Sequence, residues 1–216
     1  MKDAHGRNYW ERHAKRYDRA TRFLSRPVPR MLALSVDAAR GKRRVLEVAA
    51  GTGLLTVAIA PVVGELVATD YANEMLAHVA ARARDEKLAN VHVAQADIAA
   101  LTFSAASFDA VFAANVLHLV PDLDAALASL RGVLRPGGVL VAPTYLHDET
   151  FVARTLARLF RLTGFPSCRR FTTQSLRAAI SSAGFRITRS ETISGPFPVG
   201  FVEAVRVDAK DCNDDL

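Results

Sequence analysis

The stretch LEVAAGTGLLT, Leu46 to Thr56, ends an apolar run in a glutamate, then places Gly51 and Gly53 before the apolar pattern resumes. Glycines at this spacing let a backbone turn tightly and lie against a ligand with no Cβ in the way. The neighbouring residues constrain the ligand's charge. A phosphate loop of the form G-x-x-x-x-G-K-[ST] needs a lysine that this stretch lacks. A dinucleotide loop G-x-G-x-x-G would have glycine where Thr56 stands, and Glu47 would repel a pyrophosphate. Glu47 suits a ligand that carries positive charge. Asp70 ends the next apolar run, close to the spacing of about 20 residues at which a carboxylate takes ribose hydroxyls. Asp97, in QADIAALTF, ends a third run and could accept a hydrogen bond from an exocyclic amine. Together the three acids describe a nucleoside attached to something cationic.

Groups able to move a proton lie further along. His118, in NVLHLVPD, follows a fourth apolar run, and Tyr145 and His147, in PTYLHDET, follow a fifth. A neutral imidazole serves as a base near pH 7, so His118 is a candidate general base with Tyr145 and His147 as rivals. The alternative for His118 is a histidine that shapes a pocket or opens a helix. No His/Cys/Asp spacing suggests a metal site, and Cys168 and Cys212 are too few for a disulfide framework.

These residues must be held by the elements between them. RRVLEVA, ELVATD, NVHVAQAD, FDAVFAAN and GVLVAPT read as strands, apolar nearly throughout, as expected where both faces of a parallel sheet are covered. Leu54 to Ala60, Asn73 to Arg84 and Leu123 to Leu134 read as the helices between them. Such alternation predicts a doubly wound α/β sheet whose ligands sit outside the carboxyl ends of the strands. Ahead of it, helices are expected over residues 8 to 22, with Trp10, Ala14, Tyr17 and Thr21 on one face, and from Val28 to Ala39, closed by Gly41. After Tyr145 come helices from Phe151 to Leu162 and from Thr173 to Ala183, the latter capped by Thr172 or Thr173 and ended by Gly184. FRITRSETI and VGFVEAVRV, joined by a Gly-Pro-Phe-Pro turn, predict an antiparallel hairpin at the sheet edge and bring the strands to seven. Arg135-Pro136-Gly137-Gly138 reads as a turn before a strand.

In order and spacing, YWERHAKRYD, VLEVAAGTGLLT, ATDYANEML, QADIAALTF, FDAVFAANVLH and LRGVLRPGGVLVAP make the chain similar to class I S-adenosylmethionine-dependent methyltransferases, in the small-molecule branch that includes the quinone C-methyltransferases. The resemblance spans most of residues 9 to 143 and implies a mostly parallel, Rossmann-like sheet and S-adenosylmethionine as cofactor. It implies that Glu47 lies near the methionine end and that Gly51 and Gly53 let that moiety rest on the backbone. Asp70 would hold the ribose hydroxyls, Asp97 and Ile98 would flank the adenine, and Asn115 would sit beside the sulfonium. Tyr17 would reach the methionine carboxylate as a lid residue, and Ala49, Tyr71 and Met75 complete the expected cofactor-binding set. The family usually has glycine where this chain has Ala49, so either the loop is slightly displaced or Ala49 keeps a φ that suits alanine.

Of the 216 residues, 28 are basic and 22 acidic, with the basic ones crowded towards the N-terminus. That crowding raises a nucleic-acid methyltransferase as an alternative, but AANVLH after the fourth strand lacks both an N/D-P-P-aromatic run and a Pro-Cys pair, and no RNA-binding module is appended. No nucleic-acid partner is therefore expected. A non-catalytic cofactor-binding protein is a further alternative, and for an oxidoreductase the missing third glycine and Glu47 count against it. The segment from Phe151 to Leu162 sets Arg154, Arg158 and Arg161 against Val152, Leu156, Leu159 and Phe160, which allows peripheral membrane contact or a lid with a solvated arginine face. No apolar run reaches membrane-spanning length and no secretory signal opens the chain, which predicts a cytoplasmic protein. The expected organisation is one methyltransferase domain over 1–210, with a helical lid (1–40), a cofactor core (43–145), an acceptor-side segment (146–171) and closing helix and strands (172–207), then an acidic tail (208–216). The expected acceptor is a small or amphipathic molecule of the quinone, phenol, lipid head group or amine class.

Overall fold

The computed structural model describes residues 26–161 and 168–207. The expected helix over 8 to 22, with Tyr17, and the acidic tail lie outside the described residues. Helix α1 (Val28–Ala39) opens at Pro27 and Pro29, where a missing N–H costs nothing, and stops before Gly41, whose φ is +74°. Then follow β1 (Arg44–Glu47), α2 (Leu54–Ile59) with a 3₁₀ turn at Ala60–Val62, β2 (Glu65–Asp70), α3 (Asn73–Asp85) and β3 (Val91–Gln95). The second half holds β4 (Phe108–Phe112), α4 (Leu123–Val133), β5 (Leu134–Val141), β6 (Thr144–Tyr145), α5 (Phe151–Arg161), α6 (Thr173–Ser182), β7 (Phe185–Ile193) and β8 (Val199–Arg206).

The strands form one sheet in the order β3-β2-β1-β4-β5-β8, with β7 on the outer side of β8. β1 to β5 are parallel and β8 runs antiparallel to β5 and β7. This is the doubly wound sheet with an antiparallel edge pair that the alternation predicts. The chain order reverses at β1, which has β2 on one side and β4 on the other, so a crevice opens at the carboxyl end of β1.

Successive strand residues point to opposite faces, which sorts the apolar side chains into two layers. Leu46, Phe108, Val111 and Leu140 pack with Leu127 and Leu130 of α4 and Ile180 of α6. Val45, Leu66, Phe112 and Val141 pack with Met31 and Leu34 of α1 and Ile59 of α2. Each such Leu, Ile or Phe contributes roughly 1.5–3 kcal/mol by leaving water.

Three expectations need correction. Among the described residues the sheet has eight strands rather than seven. Pro143 has no N–H to donate, so the ladder after β5 breaks and resumes as the two-residue β6, which pairs Thr144 with Gly200 and Tyr145 with Val199 of β8. The Arg135-Pro136-Gly137-Gly138 turn lies inside β5 as a bulge: Phe108 pairs with Leu134 and Ala110 with Val139, and Gly137 takes φ +69°. β3 is not covered on both faces, because it is an edge strand and leaves His92 and Val93 exposed.

Candidate functional site

Glu47 ends β1 at 2% exposure, inside the crevice. The Thr56 hydroxyl of α2 donates to Glu47 Oε2 at 2.6 Å, and the Thr69 hydroxyl donates to the Glu47 carbonyl at 3.0 Å. Burial pushes the Glu47 carboxyl up to about 8; the Thr56 hydrogen bond opposes the shift, and the charge of Asp70 adds to it. Asp70 ends β2 and reaches across the loop. Its Oδ2 accepts from the Gly51 N–H and its Oδ1 from the Ala72 N–H, each at 2.9 Å. Burial also raises the Asp70 carboxyl, with the N–H groups of Ala72, Gly51 and Tyr71 pulling it back.

The loop keeps its turn by left-handed backbone. Gly51 has φ +57° and Gly53 φ +82°; a Cβ on Gly51 would meet open space, whereas one on Gly53 would lie 3.3 Å from the Val79 Cα. Ala49 has φ +52°, so of the two expected alternatives the alanine-compatible dihedral does not hold. Ala49 holds the conformation that glycine adopts freely and bears the Cβ strain that goes with it. The Ala50 N–H still donates to the Thr69 carbonyl at 2.9 Å, which pins the loop to β2.

Further along the same sheet edge, Tyr71 is exposed and Met75 is buried against Ala72 at the start of α3. The Tyr71 carbonyl accepts from Gln95 Nε2 at 2.9 Å. Asp97 lies two residues beyond the end of β3, exposed, with its Oδ1 accepting from the Ala99 N–H at 2.9 Å. Ile98 is half-buried and packs, as does Ala49, against the core layer that includes Leu46.

Asn115 follows β4 with φ +52°. Its N–H donates to the Pro143 carbonyl at 2.7 Å, and its Nδ2 lies 3.9 Å from the Met31 sulfur of α1. Its buried Oδ1 has no hydrogen-bond partner among the described residues. A buried acceptor with nothing donating to it calls for a cation or a donor from a ligand. With Glu47 and Asp70 ending β1 and β2, Asn115 following β4 beside them and open space above Gly51, the carboxyls and amide oxygen fit a sulfonium nucleoside better than a polyphosphate.

The structure brings His118, Tyr145 and His147 together. The ring centroids of His118 and His147 are 4.8 Å apart, those of His118 and Tyr145 6.2 Å, and those of Tyr145 and His147 6.4 Å. Phe197, from the turn between β7 and β8, closes the group at 5.5 Å from His147 and 6.3 Å from Tyr145. Burial pushes His118 well below the usual imidazole range, and His147 adds to the shift. Burial lowers His147 to about 4, against the charge of Asp148 and a carbonyl contact from Tyr145, and it raises the Tyr145 phenol. All three are neutral at pH 7. Among the described residues no cluster of His, Cys, Asp or Glu could hold a metal, and no helix is long and apolar enough to cross a membrane.

Sequence reasoning missed Thr56, Met31 and Phe197. Thr56 stood in the opening stretch only as an absent glycine, although a hydroxyl on the inner face of an otherwise apolar helix signals a buried partner. Met31 looks like an ordinary member of an amphipathic helix. Phe197 gives no local signal, because it reaches the site only through the hairpin, where the Leu146 N–H donates to the Pro198 carbonyl at 2.8 Å.

A family profile described as a methyltransferase domain matches residues 45–138. The ubiquinone/menaquinone biosynthesis C-methyltransferase UbiE of Shewanella oneidensis is 35% identical over 137 residues, 62% of this chain and 55% of that protein. UbiE of Shewanella piezotolerans is 32% identical over 168 residues, 74% of this chain and 67% of that protein. The chain thus spans between about half and two thirds of the length of these relatives. Among solved structures, YcgJ from Bacillus subtilis superposes with a TM-score of 0.73 at 18% identity, covering 83% of this chain and 99% of its own. The N-methyltransferase NodS from Bradyrhizobium japonicum, in complex with S-adenosyl-L-homocysteine, gives 0.67 at 17% identity, over 83% and 85%. At these identities the two structures speak for the fold.

Proposed function

From the premise that this chain belongs to the class I S-adenosylmethionine-dependent methyltransferases, we propose that it transfers the methyl group of S-adenosylmethionine to a small or amphipathic organic acceptor. The observation that carries this reading is the line of acceptor groups along the sheet edge, Glu47, Asp70 and the unpaired Asn115 Oδ1, beside a neutral cluster of His118, Tyr145 and His147.

The bound cofactor supplies an electrophilic methyl carbon on a cationic sulfur, which leaves in an in-line displacement as a neutral thioether. Glu47 and the backbone at Ala49, Gly51 and Gly53 would hold its amino-acid end, and Tyr17 is the residue proposed for its carboxylate. Asp70 would take the ribose hydroxyls, Tyr71, Met75 and Ile98 would line the nucleoside, Asp97 would receive the exocyclic amine, and Asn115 would lie on the side of the positive sulfur. The lid over 1–40 and the segment over 146–171 enclose the acceptor in this reading. Orienting two reactants can lower a barrier by about 7–11 kcal/mol, so positioning carries much of the rate. Where the acceptor must lose a proton, a neutral imidazole of His147 or His118 takes it, and Tyr145 and Phe197 offer an aromatic wall to a quinone- or phenol-like ring. We place the enzyme in the cytoplasm, without a nucleic-acid partner and with access to a membrane surface from which an amphipathic acceptor is drawn.

Calorimetric titration with S-adenosylhomocysteine, S-adenosylmethionine and NAD tests the cofactor, with Asp70→Ala and Asp70→Asn checked for folding by circular dichroism. Binding of the first two ligands, lost in folded variants, is expected, followed by S-adenosylhomocysteine release with the right acceptor from a panel of quinones, phenols, lipids and amines. Binding of NAD alone would sink the reading.

A further inference from the structure

Helix α5 opens with the Ala153 N–H donating to the Thr150 hydroxyl at 3.1 Å. Of its described side chains only Ala153 is fully buried. Phe151 is 76% exposed and Val152 55%, the two most exposed large apolar side chains among the described residues. At about 100° per residue, Phe151, Thr155 and Arg158 form one outward column, with Arg154 on one flank and Val152 on the other. Val152 thus lies about 160° round the helix from Arg154, as the expected division has it, and is nevertheless exposed.

The helix, FVARTLARLFR, contains no acid, and the two acids just before it are engaged elsewhere. Asp148 pairs with Arg170 at 3.6 Å, and Glu149 Oε2 accepts from the Thr173 N–H at 2.7 Å. The outward face is therefore both apolar and cationic, and the helix itself carries no counter-charge.

We propose that this face docks on an anionic lipid surface, with Phe151 and Val152 entering the boundary between head groups and acyl chains while Arg154 and Arg158 meet the phosphates. Charge selects this occupant. The chain's own first 25 residues carry Lys2, Arg7, Arg12, Lys15, Arg16, Arg19 and Arg22 against Asp3, Glu11 and Asp18, so they repel the face, as would the same face of a second copy. A nucleic acid would satisfy the arginines and leave Val152 without a partner. Docking also has a geometric consequence, which rests on the reading of the function given above. The Cys168 and Arg169 N–H groups donate to the His118 carbonyl at 3.0 and 3.2 Å, and the Asp148 N–H donates to the Phe171 carbonyl at 3.2 Å. Both sides of α5 are thus fastened to the loops that bear His118 and His147, and a docked helix holds the acceptor cluster at the membrane boundary.

The test is co-sedimentation of the full chain with phosphatidylcholine vesicles, with and without phosphatidylglycerol. Binding to the anionic vesicles, weakened by salt, is expected, and Phe151→Ser and the double variant Arg154→Glu/Arg158→Glu should each weaken it about tenfold or more. S-adenosylhomocysteine binding in solution should stay unchanged in both variants, which separates failure of docking from failure of the cofactor reading. No binding by the unmodified chain overturns the proposal. So does binding that survives both variants, which would assign it to the basic N-terminus, or duplex RNA captured by this face while vesicles are ignored.

Discussion

The Thr56 hydroxyl and the Glu47 carboxyl meet at 2.6 Å in a setting that leaves Glu47 2% exposed. A lone carboxylate there is costly, so the group holds a proton up to about pH 8 until a cation arrives.

Cofactor binding should therefore be coupled to proton release. Between pH 6 and 7.5, affinity for S-adenosylhomocysteine should rise with pH, by up to about tenfold per unit, with protons released into the buffer. Calorimetry in two buffers of different ionisation enthalpy reads both effects. Glu47→Gln should flatten the dependence and weaken binding by about tenfold or more through loss of the charge-assisted hydrogen bond.

The same group sets a pH trend in stability. Its folded value, about 8, lies above its ordinary 4.5, so the fold binds the proton more tightly than the unfolded chain does. That contribution is full below 4.5 and is lost as pH rises through about 8. Glu47→Gln should remove this decline, and thermal melts at pH 7.5 should show the variant to be the more stable protein without ligand.

His147 gives the opposite trend. Burial lowers it from 6.5 to about 4, so the fold favours the neutral ring. Its contribution is present above 6.5 and lost as pH falls towards 4. His147→Asn should blunt the loss of stability between those values. If His147 also takes the acceptor's proton, the variant lowers kcat for acceptors that need deprotonation and spares those that do not.

Ala49→Gly should stabilise the protein. The left-handed φ of +52° costs an alanine about 1–2 kcal/mol, and the looser unfolded chain offsets about 0.4–1 kcal/mol of the gain. The net is about 1 kcal/mol, or roughly 2–4 °C in Tm for a chain of this size. An unchanged Tm would mean that the loop relaxes around alanine in solution.

Gly51→Ala and Gly53→Ala should separate strain from crowding. Both residues have positive φ, but a Cβ on Gly51 meets open space and one on Gly53 presses on the Val79 backbone at 3.3 Å. Gly53→Ala should therefore lose more stability. Gly51→Ala, whose methyl enters the space over the loop, should lose more cofactor affinity relative to its stability cost.

The repeating parts of the fold were legible because their physics is local. ELVATD is β2 to the residue, and Val28–Ala39 is α1, since apolar runs and Gly41 mark them in the chain. The bulge in β5 and the break at Pro143 depend on which strand lies alongside, which no window of sequence reports. At the site, Glu47 and Asp70 could be read as strand-end acids, whereas Asp97 lies two residues past β3, and the left-handed φ of Ala49 belongs to a loop fastened to β2 at Ala50 and Gly51. The gathering of His118, Tyr145 and His147 with Phe197 depends on the antiparallel return of β8, which brings the turn before it beside β6.

That return divides the crevice into two inheritances. Glu47, Asp70 and Ile98 come from β1 to β3 and their loops, the histidines, Tyr145 and Phe197 come from the other side of the switch, and Asn115 follows β4, which lies beside β1. In the proposed function, segments 145–151, 168–172 and 194–198 can therefore be diversified while the strand-end residues of β1 to β3 stay unchanged. A library confined to those three segments is a practical route to new acceptors on this scaffold.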